Sequence, residues 1–304
     1  MIAPAEFHAS VLLAEVVSVL APRSGGRYAD VTTGLGGHAE AILEASSPGG
    51  TLIAIDRDPK ALELARVRLA RFGARVTFVR ARFSELDDYV DPSSIDGLVA
   101  DLGVSSMQLD ERARGFSFSS PGPIDMRMGS EGETALELIE RCSTEDLASI
   151  LSELGEVRGA KRVARAIHEA LSAGQLTTTS ALAEVIARVS EKGGRTHPAT
   201  RAFMALRIAT NAELLELDSL LVQLPITLAP SGRAAVISFH SLEDRRVKRA
   251  TLAVEPAGPF PRGLPVPRTE SPLSQIGKSI APSEAELARN PRSRSARLRV
   301  LARR

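Results

Sequence analysis

The chain has no tryptophan and a single cysteine, Cys142, in 304 residues. A lone cysteine excludes an internal disulfide framework and a cysteine-based zinc site within one chain, and no metal is expected. Two tyrosines and nine phenylalanines are the only other large aromatics. With so few, each ring near a candidate site counts as a base-stacking candidate. No run approaches the ~18 apolar residues of a spanning helix, and no basic segment leads into an apolar stretch at the start. The expectation is a cytoplasmic protein without membrane attachment. Charge of one sign is also lacking, because the formal net charge is +1. A nucleic-acid partner must therefore be argued from local patches. Hydrophobic residues at 43% and charged residues at 25% are the balance of a globular protein, long enough for one large domain or two ordinary ones.

The first hundred residues alternate two signals. Residues 27–32 (RYADVT) read as a strand running into the glycine-rich 34–37, and 38–45 as a helix. Residues 51–56 (TLIAID) are a continuous apolar run ending in an acid, as in a buried parallel strand. Residues 59–72 follow as a helix with proline in its first turn and Leu62, Ala65 and Leu69 on one face. Residues 76–79 and 95–101 (IDGLVAD) are the next strands. Such alternation argues a parallel α/β sheet.

After Asp101 the pattern breaks. Residues 103–130 show neither period and are rich in Gly, Ser and Pro, the signature of a functional or disordered loop. From 134 to about 189 the text is helical. Ser143 suits a cap before 144–154, Val163, Ile167 and Leu171 share a face, and Thr178 or Thr179 suits a cap before 181–189. Strand signal returns at 233–239 (RAAVISF), with a helix from Leu242. Residues 256–282 hold seven prolines and predict a long loop, while 296–301 predict a last strand. The expectation is a Rossmann-like α/β sheet built from 1–105 and 210–304, with an all-helical domain inserted at 106–209.

Gly34-Leu-Gly36-Gly37-His38-Ala39 fits G-x-G-x-x-G/A, and Asp56 lies 20 residues after Gly36 at the end of the next strand. That pair is the dinucleotide fingerprint, so an NAD(P)-dependent oxidoreductase competes. Asp30 argues the other way. It sits inside the first strand, where dinucleotide folds carry an apolar residue and methyltransferases an acid. S-adenosylmethionine has no pyrophosphate, but its cationic methionine end favours a nearby carboxylate. The fold expected is therefore that of a class I methyltransferase.

More of the chain matches than a fold. The segments are 8–13 (HASVLL), 36–38 (GGH), 54–59 (AIDRDP), 101–106 (DLGVSS), 108–110 (QLD), 114–118 (RGFSF), 122–128 (GPIDMRM), 197–201 (HPATR), 238–248 (SFHSLEDRRVK) and 290–295 (NPRSRS). In that order, over nearly the whole chain, it resembles the bacterial 16S rRNA cytosine-N4 methyltransferase family, RsmH/MraW. The resemblance implies S-adenosyl-L-methionine as donor, a cytidine of 16S rRNA in the small ribosomal subunit as acceptor, and a helical insert. It also implies cofactor contacts at Gly36, Gly37, His38, Asp56, Phe83, Asp101 and Gln108. Met107 departs from the family's usual proline and Met204 from its usual glutamine.

The residues themselves suggest roles. Asp56 suits a ribose acceptor. Phe83 suits an adenine stack or plain core packing, and His38 a cofactor contact or plain packing. Asp101 ends the fourth strand. The exocyclic amine of cytosine is a poor nucleophile, so acceptors must hold it in line with the sulfonium methyl. Asp101 is the candidate, with cofactor binding left open beside base positioning. The stacking aromatic is expected to be Phe116 or Phe118. His240, after a later strand, is the second catalytic candidate, with capping of the following helix as its alternative. For RNA, Arg162 and Arg165, with Lys161, line one side of an insert helix, and 289–304 holds seven arginines and no acid. Outside enzymes, a non-catalytic rRNA-binding assembly factor is the alternative.

Overall fold

The alternating signals of the sequence fold into one mixed sheet with helices on both faces. A computed structural model describes residues 10–191, 197–253 and 269–304. In chain order the elements are α1 (Leu13–Leu20), β1 (Arg27–Asp30), α2 (Gly37–Ala45), β2 (Thr51–Asp56), α3 (Pro59–Leu69), β3 (Val76–Arg80) and β4 (Ile95–Asp101). Then come α4 (Ser106–Asp110), α5 (Ala135–Arg141), α6 (Thr144–Gly155), α7 (Ala160–Ser172), α8 (Thr179–Val189), α9 (Ala199–Asn211) and α10 (Glu213–Thr227). The chain ends with β5 (Leu228–Ser238), α11 (Ser241–Arg249), β6 (Leu273–Ile280), α12 (Glu284–Arg289) and β7 (Arg297–Arg303).

The strand order is β3-β2-β1-β4-β5-β7-β6. The first five strands in this order are parallel, and β7 runs antiparallel between β5 and β6. The order reverses between β1 and β4, so a crevice opens there beyond the strands' carboxyl ends, where Rossmann-like sheets bind ligands. Parallel strands covered on both faces need apolar residues at successive positions. In β4, Leu98 and Ala100 pack with Leu217, Leu220 and Leu224 of α10. Val99 between them faces the opposite layer, with Val16 and Leu20 of α1 and Ile42 and Leu43 of α2.

The chain divides into two compact units, Met1–Gly103 with Leu214–Arg304, and Val104–Glu213. The sequence places the insert at 106–209; the unit starts slightly earlier, at Val104, and ends later because α9 continues to Asn211. Several of its helices start on capping side chains. Thr134 accepts from Glu137 N, Ser143 from Asp146 N and Thr178 from Ala181 N. Leu138, Leu147, Leu151, Val163, Ile167, Leu182, Ile186 and Leu206 form its core. Each such side chain contributes roughly 1.5–3 kcal/mol by leaving water. The aperiodic stretch 103–130 is held largely by hydrogen bonds to its backbone. Arg114 donates to the carbonyls of Arg127 and Met128 at 3.0 and 2.7 Å, and Asn211 bonds Met126 O and Met128 N. Gly115 has φ +71°, and a Cβ there would lie 2.2 Å from Pro123 O.

One expectation needs correction. The proline-rich 256–282 is not loop throughout, because Leu273–Ile280 is strand β6, paired with β7. Pro272 and Pro282 sit just outside it, where a missing N–H costs no ladder bond. Residues 256–268 lie outside the described residues. Within the matched segment 8–13, helix α1 begins only at Leu13, after Leu12 in a left-handed conformation, and His8 lies outside the described residues. The last strand expected at 296–301 is present, within the arginine-rich 289–304. Residues 297–303 form the inner strand β7, where Arg299 pairs with Asp244 at 2.7 and 2.9 Å and Arg303 donates to Leu228 O. Among the described residues no helix is long and apolar enough to cross a membrane.

Candidate active site

The glycine loop and the strand-end acids meet at the carboxyl edge of the sheet. Gly34 and Gly36 have φ +51° and +80°, a left-handed pair that turns the chain from β1 into α2 at little steric cost. Asp56 fastens this turn. Its Oδ2 accepts from Gly34 N at 2.7 Å and its Oδ1 from Asp58 N at 2.8 Å, leaving each oxygen a further lone pair. Burial nevertheless lifts its pKa to about 6, against the two N–H donors that lower it.

Asp30 lies deeper, at 1% exposure. Its Oδ1 accepts from Thr32 N at 3.2 Å, while Oδ2 has no partner among the described residues. Burial, with the charge of Asp56 as a smaller contribution, raises its pKa to about 7. Asp101 ends the neighbouring strand, with Oδ1 likewise unpartnered among the described residues and 24% of its side chain exposed. Burial, then the charges of Asp30 and Glu243, push its pKa well above the ordinary carboxylate range. Glu243 is itself 2% exposed and accepts from the N–H groups of Phe239 and His240 at 2.7 and 3.3 Å.

The His38 imidazole does not offset these acids. His38 Nδ1 is 4.0 Å from Asp101 Oδ2, but burial lowers the His38 pKa to about 4, so the ring is neutral at pH 7. Its Nε2 lies 3.0 Å from Val11 O, which puts the proton there and turns the Nδ1 lone pair toward Asp101. A neutral acceptor beside a carboxylate favours its protonated form. The cluster thus holds negative charge poorly by itself and suits a ligand carrying positive charge. The sulfonium and ammonium groups of S-adenosylmethionine are such charges, so the residues present fit that donor.

Other expected site residues fall into place less completely. Phe83 opens a short 3₁₀ turn after β3, half-buried against the sheet core. His240 caps α11: its Nδ1 accepts from Glu243 N at 3.4 Å, and Nε2 lies 3.1 Å from Glu243 Oε1. The structure therefore shows the capping alternative. In the helical unit, the Gln108 amide accepts from Ser105 N at 3.0 Å and donates to Met128 O at 3.2 Å. Phe116 is 8% exposed in the helical core, which leaves no free face for a base. Phe118 is half-buried. Arg162 and Arg165 are exposed on α7, and neither makes an ion pair among the described residues.

Sequence reasoning missed Glu243 and Thr32. Thr32 Oγ1 accepts from Asp101 N at 2.6 Å, tying the ends of β1 and β4 together. Glu243 carried a usable signal, since an acid three residues after His240 is capping-box spacing. Thr32 carried none, because its partner lies across the sheet.

A sequence profile described as the MraW methylase family matches residues 5–304. The chain belongs to the MraW methylase family. The protein named Ribosomal RNA small subunit methyltransferase H in Sorangium cellulosum is 49% identical over 304 residues, covering 98% of this chain and 91% of that one. Its namesake in Anaeromyxobacter dehalogenans is 48% identical over 303 residues, covering 97% of each. The structure of an rRNA methylase from Streptococcus thermophilus aligns over 96% of this chain and 92% of that one, at 13% identity and a TM-score of 0.38. This MraW methylase has the class I methyltransferase sheet and uses S-adenosylmethionine.

Proposed function

We propose that the chain methylates N4 of a cytidine in 16S rRNA of the small ribosomal subunit. The observation that carries this reading is the pair of unpartnered carboxylate oxygens on Asp30 and Asp101, at the point where the strand order reverses. They suit a cationic methyl donor and an amine acceptor together. Relatives near 48% identity named for the small-subunit rRNA support the choice of substrate. Bound S-adenosylmethionine supplies an electrophilic methyl group and leaves as a neutral thioether. Asp101 accepts an N–H of the exocyclic amine, holds its nitrogen toward the methyl carbon, and takes up the proton the amine loses on methylation. Asp56 receives the ribose hydroxyls on its free lone pairs, and Phe83 stands by for the adenine. His240 acts as a positioning residue through the cap on α11. The helical unit grips RNA through the phosphate-seeking Arg162 and Arg165.

The test is transfer from labelled S-adenosylmethionine to unmethylated small-subunit particles, followed by nucleoside analysis. N4-methylcytidine is the expected product, and its amount should fall to background with Asp101→Ala. Label in another nucleoside would overturn the acceptor. No transfer by the intact chain would leave an rRNA-binding factor.

A further inference from the structure

We infer that His197, resting on Phe118 at the start of α9, is a stacking platform for an unpaired base of the RNA, with Arg201 placed for the adjoining phosphate. The inference rests on the RNA reading above and adds a site to it. Three rings are graded from core to solvent. Phe203 is buried, Phe118 half-buried and His197 exposed. Phe118 and Phe203 meet edge to face with centroids 4.8 Å apart. His197 lies over Phe118 at 4.8 Å, with the two planes 37° apart. Among the described residues of the helical unit, His197 is the one exposed aromatic ring. Phe116 is in the core, and both nitrogens of His168 are engaged, by Thr144 and by Ile139 O.

The ring is held, not merely exposed. Its Nδ1 accepts from Ala199 N at 3.2 Å, and its carbonyl accepts from Thr200 N at 3.0 Å. That leaves Nε2 as the donor, with no hydrogen-bond partner among the described residues. An exposed histidine serving only as a helix cap would need no ring behind it. Here Phe118 fixes its inner face, so a base arriving on the outer face loses little to side-chain ordering. Arg201 is exposed in the first turn of α9, four residues after His197. One of its guanidinium nitrogens donates to Glu156 O at 3.1 Å, which steadies the group and leaves other donors free. The N-terminus of α9 adds positive potential at the same place. An aromatic face beside an oriented cation is the arrangement that takes a nucleotide of single-stranded RNA.

The experiment measures binding of the full chain to labelled oligo(A) and oligo(U) of about ten nucleotides, by fluorescence anisotropy. The intact protein should prefer oligo(A), because a purine covers more of the ring. His197→Ala should weaken oligo(A) binding on the order of tenfold and erase the preference. His197→Phe should keep both, since it retains the stacking face without Nε2–H. Arg201→Gln should weaken both oligonucleotides alike. An unchanged His197→Ala variant overturns the platform and leaves the RNA reading standing. So does a His197→Phe variant as weak as His197→Ala, which would assign the loss to the cap. An intact chain that binds neither oligonucleotides nor small-subunit particles overturns the RNA reading and the platform together.

Discussion

Asp30 and Asp101 end neighbouring parallel strands, and each keeps one carboxylate oxygen without a hydrogen-bond partner among the described residues. In an apolar core such groups are costly unless they keep a proton. Their neighbours reinforce this, because Glu243 and Asp56 add negative charge and His38 is neutral. The acids therefore oppose one another's ionisation, and a bound cation relieves that opposition.

Donor binding should be linked to proton release. Asp30, with a folded pKa of about 7, keeps a proton between pH ~4 and 7 that the unfolded chain has already lost. Raising pH through that window weakens the empty fold, by up to about 1.4 kcal/mol per pH unit for this group. A cationic ligand favours the ionised form, so affinity for S-adenosylmethionine should rise from pH 5 to 8. Calorimetry in buffers of different ionisation enthalpy should show protons released on binding. Asp30→Asn should raise the melting temperature of the empty protein at pH 8 more than at pH 5, and should weaken donor binding at pH 8. A pH-independent affinity without proton release would refute the cation-seat reading.

Asp56 holds the glycine turn through Gly34 N as well as offering lone pairs outward. Asp56→Ala should cost roughly 1.5–3 kcal/mol of donor affinity, or about tenfold to a hundredfold. The fold should survive, since the residue is at a strand end. Calorimetry with unchanged affinity would remove Asp56 from the site.

The capping role of His240 separates from a chemical one by choice of substitution. His240→Ala should lower stability by about 1 kcal/mol, within the usual range for a lost cap. His240→Asn should recover most of that loss, and methyl transfer with it, because a side-chain acceptor for Glu243 N returns. A stable His240→Asn variant without transfer activity would make the imidazole itself part of the chemistry.

Charge reversal at Arg162 and Arg165 should weaken particle binding and flatten its salt dependence. Each lost phosphate contact should reduce the slope of log affinity against log salt by about 0.7 to 0.9. Donor affinity measured on the same double variant should stay put. An unchanged slope would move the RNA track off α7.

Local rules carried a large share of this structure. Continuous apolar runs at 51–56 and 95–101 specify strands buried on both faces, because only such strands need no polar side. Ser143 and Thr178 cap the helices read from them, as the side-chain acceptor and the apolar period are both local signals. Strand β6 was hidden because prolines flank it and its pairing partner β7 follows later in the chain. Phe116 read as a candidate stacking ring, yet packing in the helical core took its faces.

Adjacency in sequence sets strands, caps and the glycine turn, because those depend on neighbours a few residues away. Only tertiary structure put Asp30 beside Asp101, brought Glu243 toward them from α11, and fixed the His38 proton on the side of Val11. Charges that lie tens of residues apart shift one another only after folding removes the water between them, and no linear pattern records that distance.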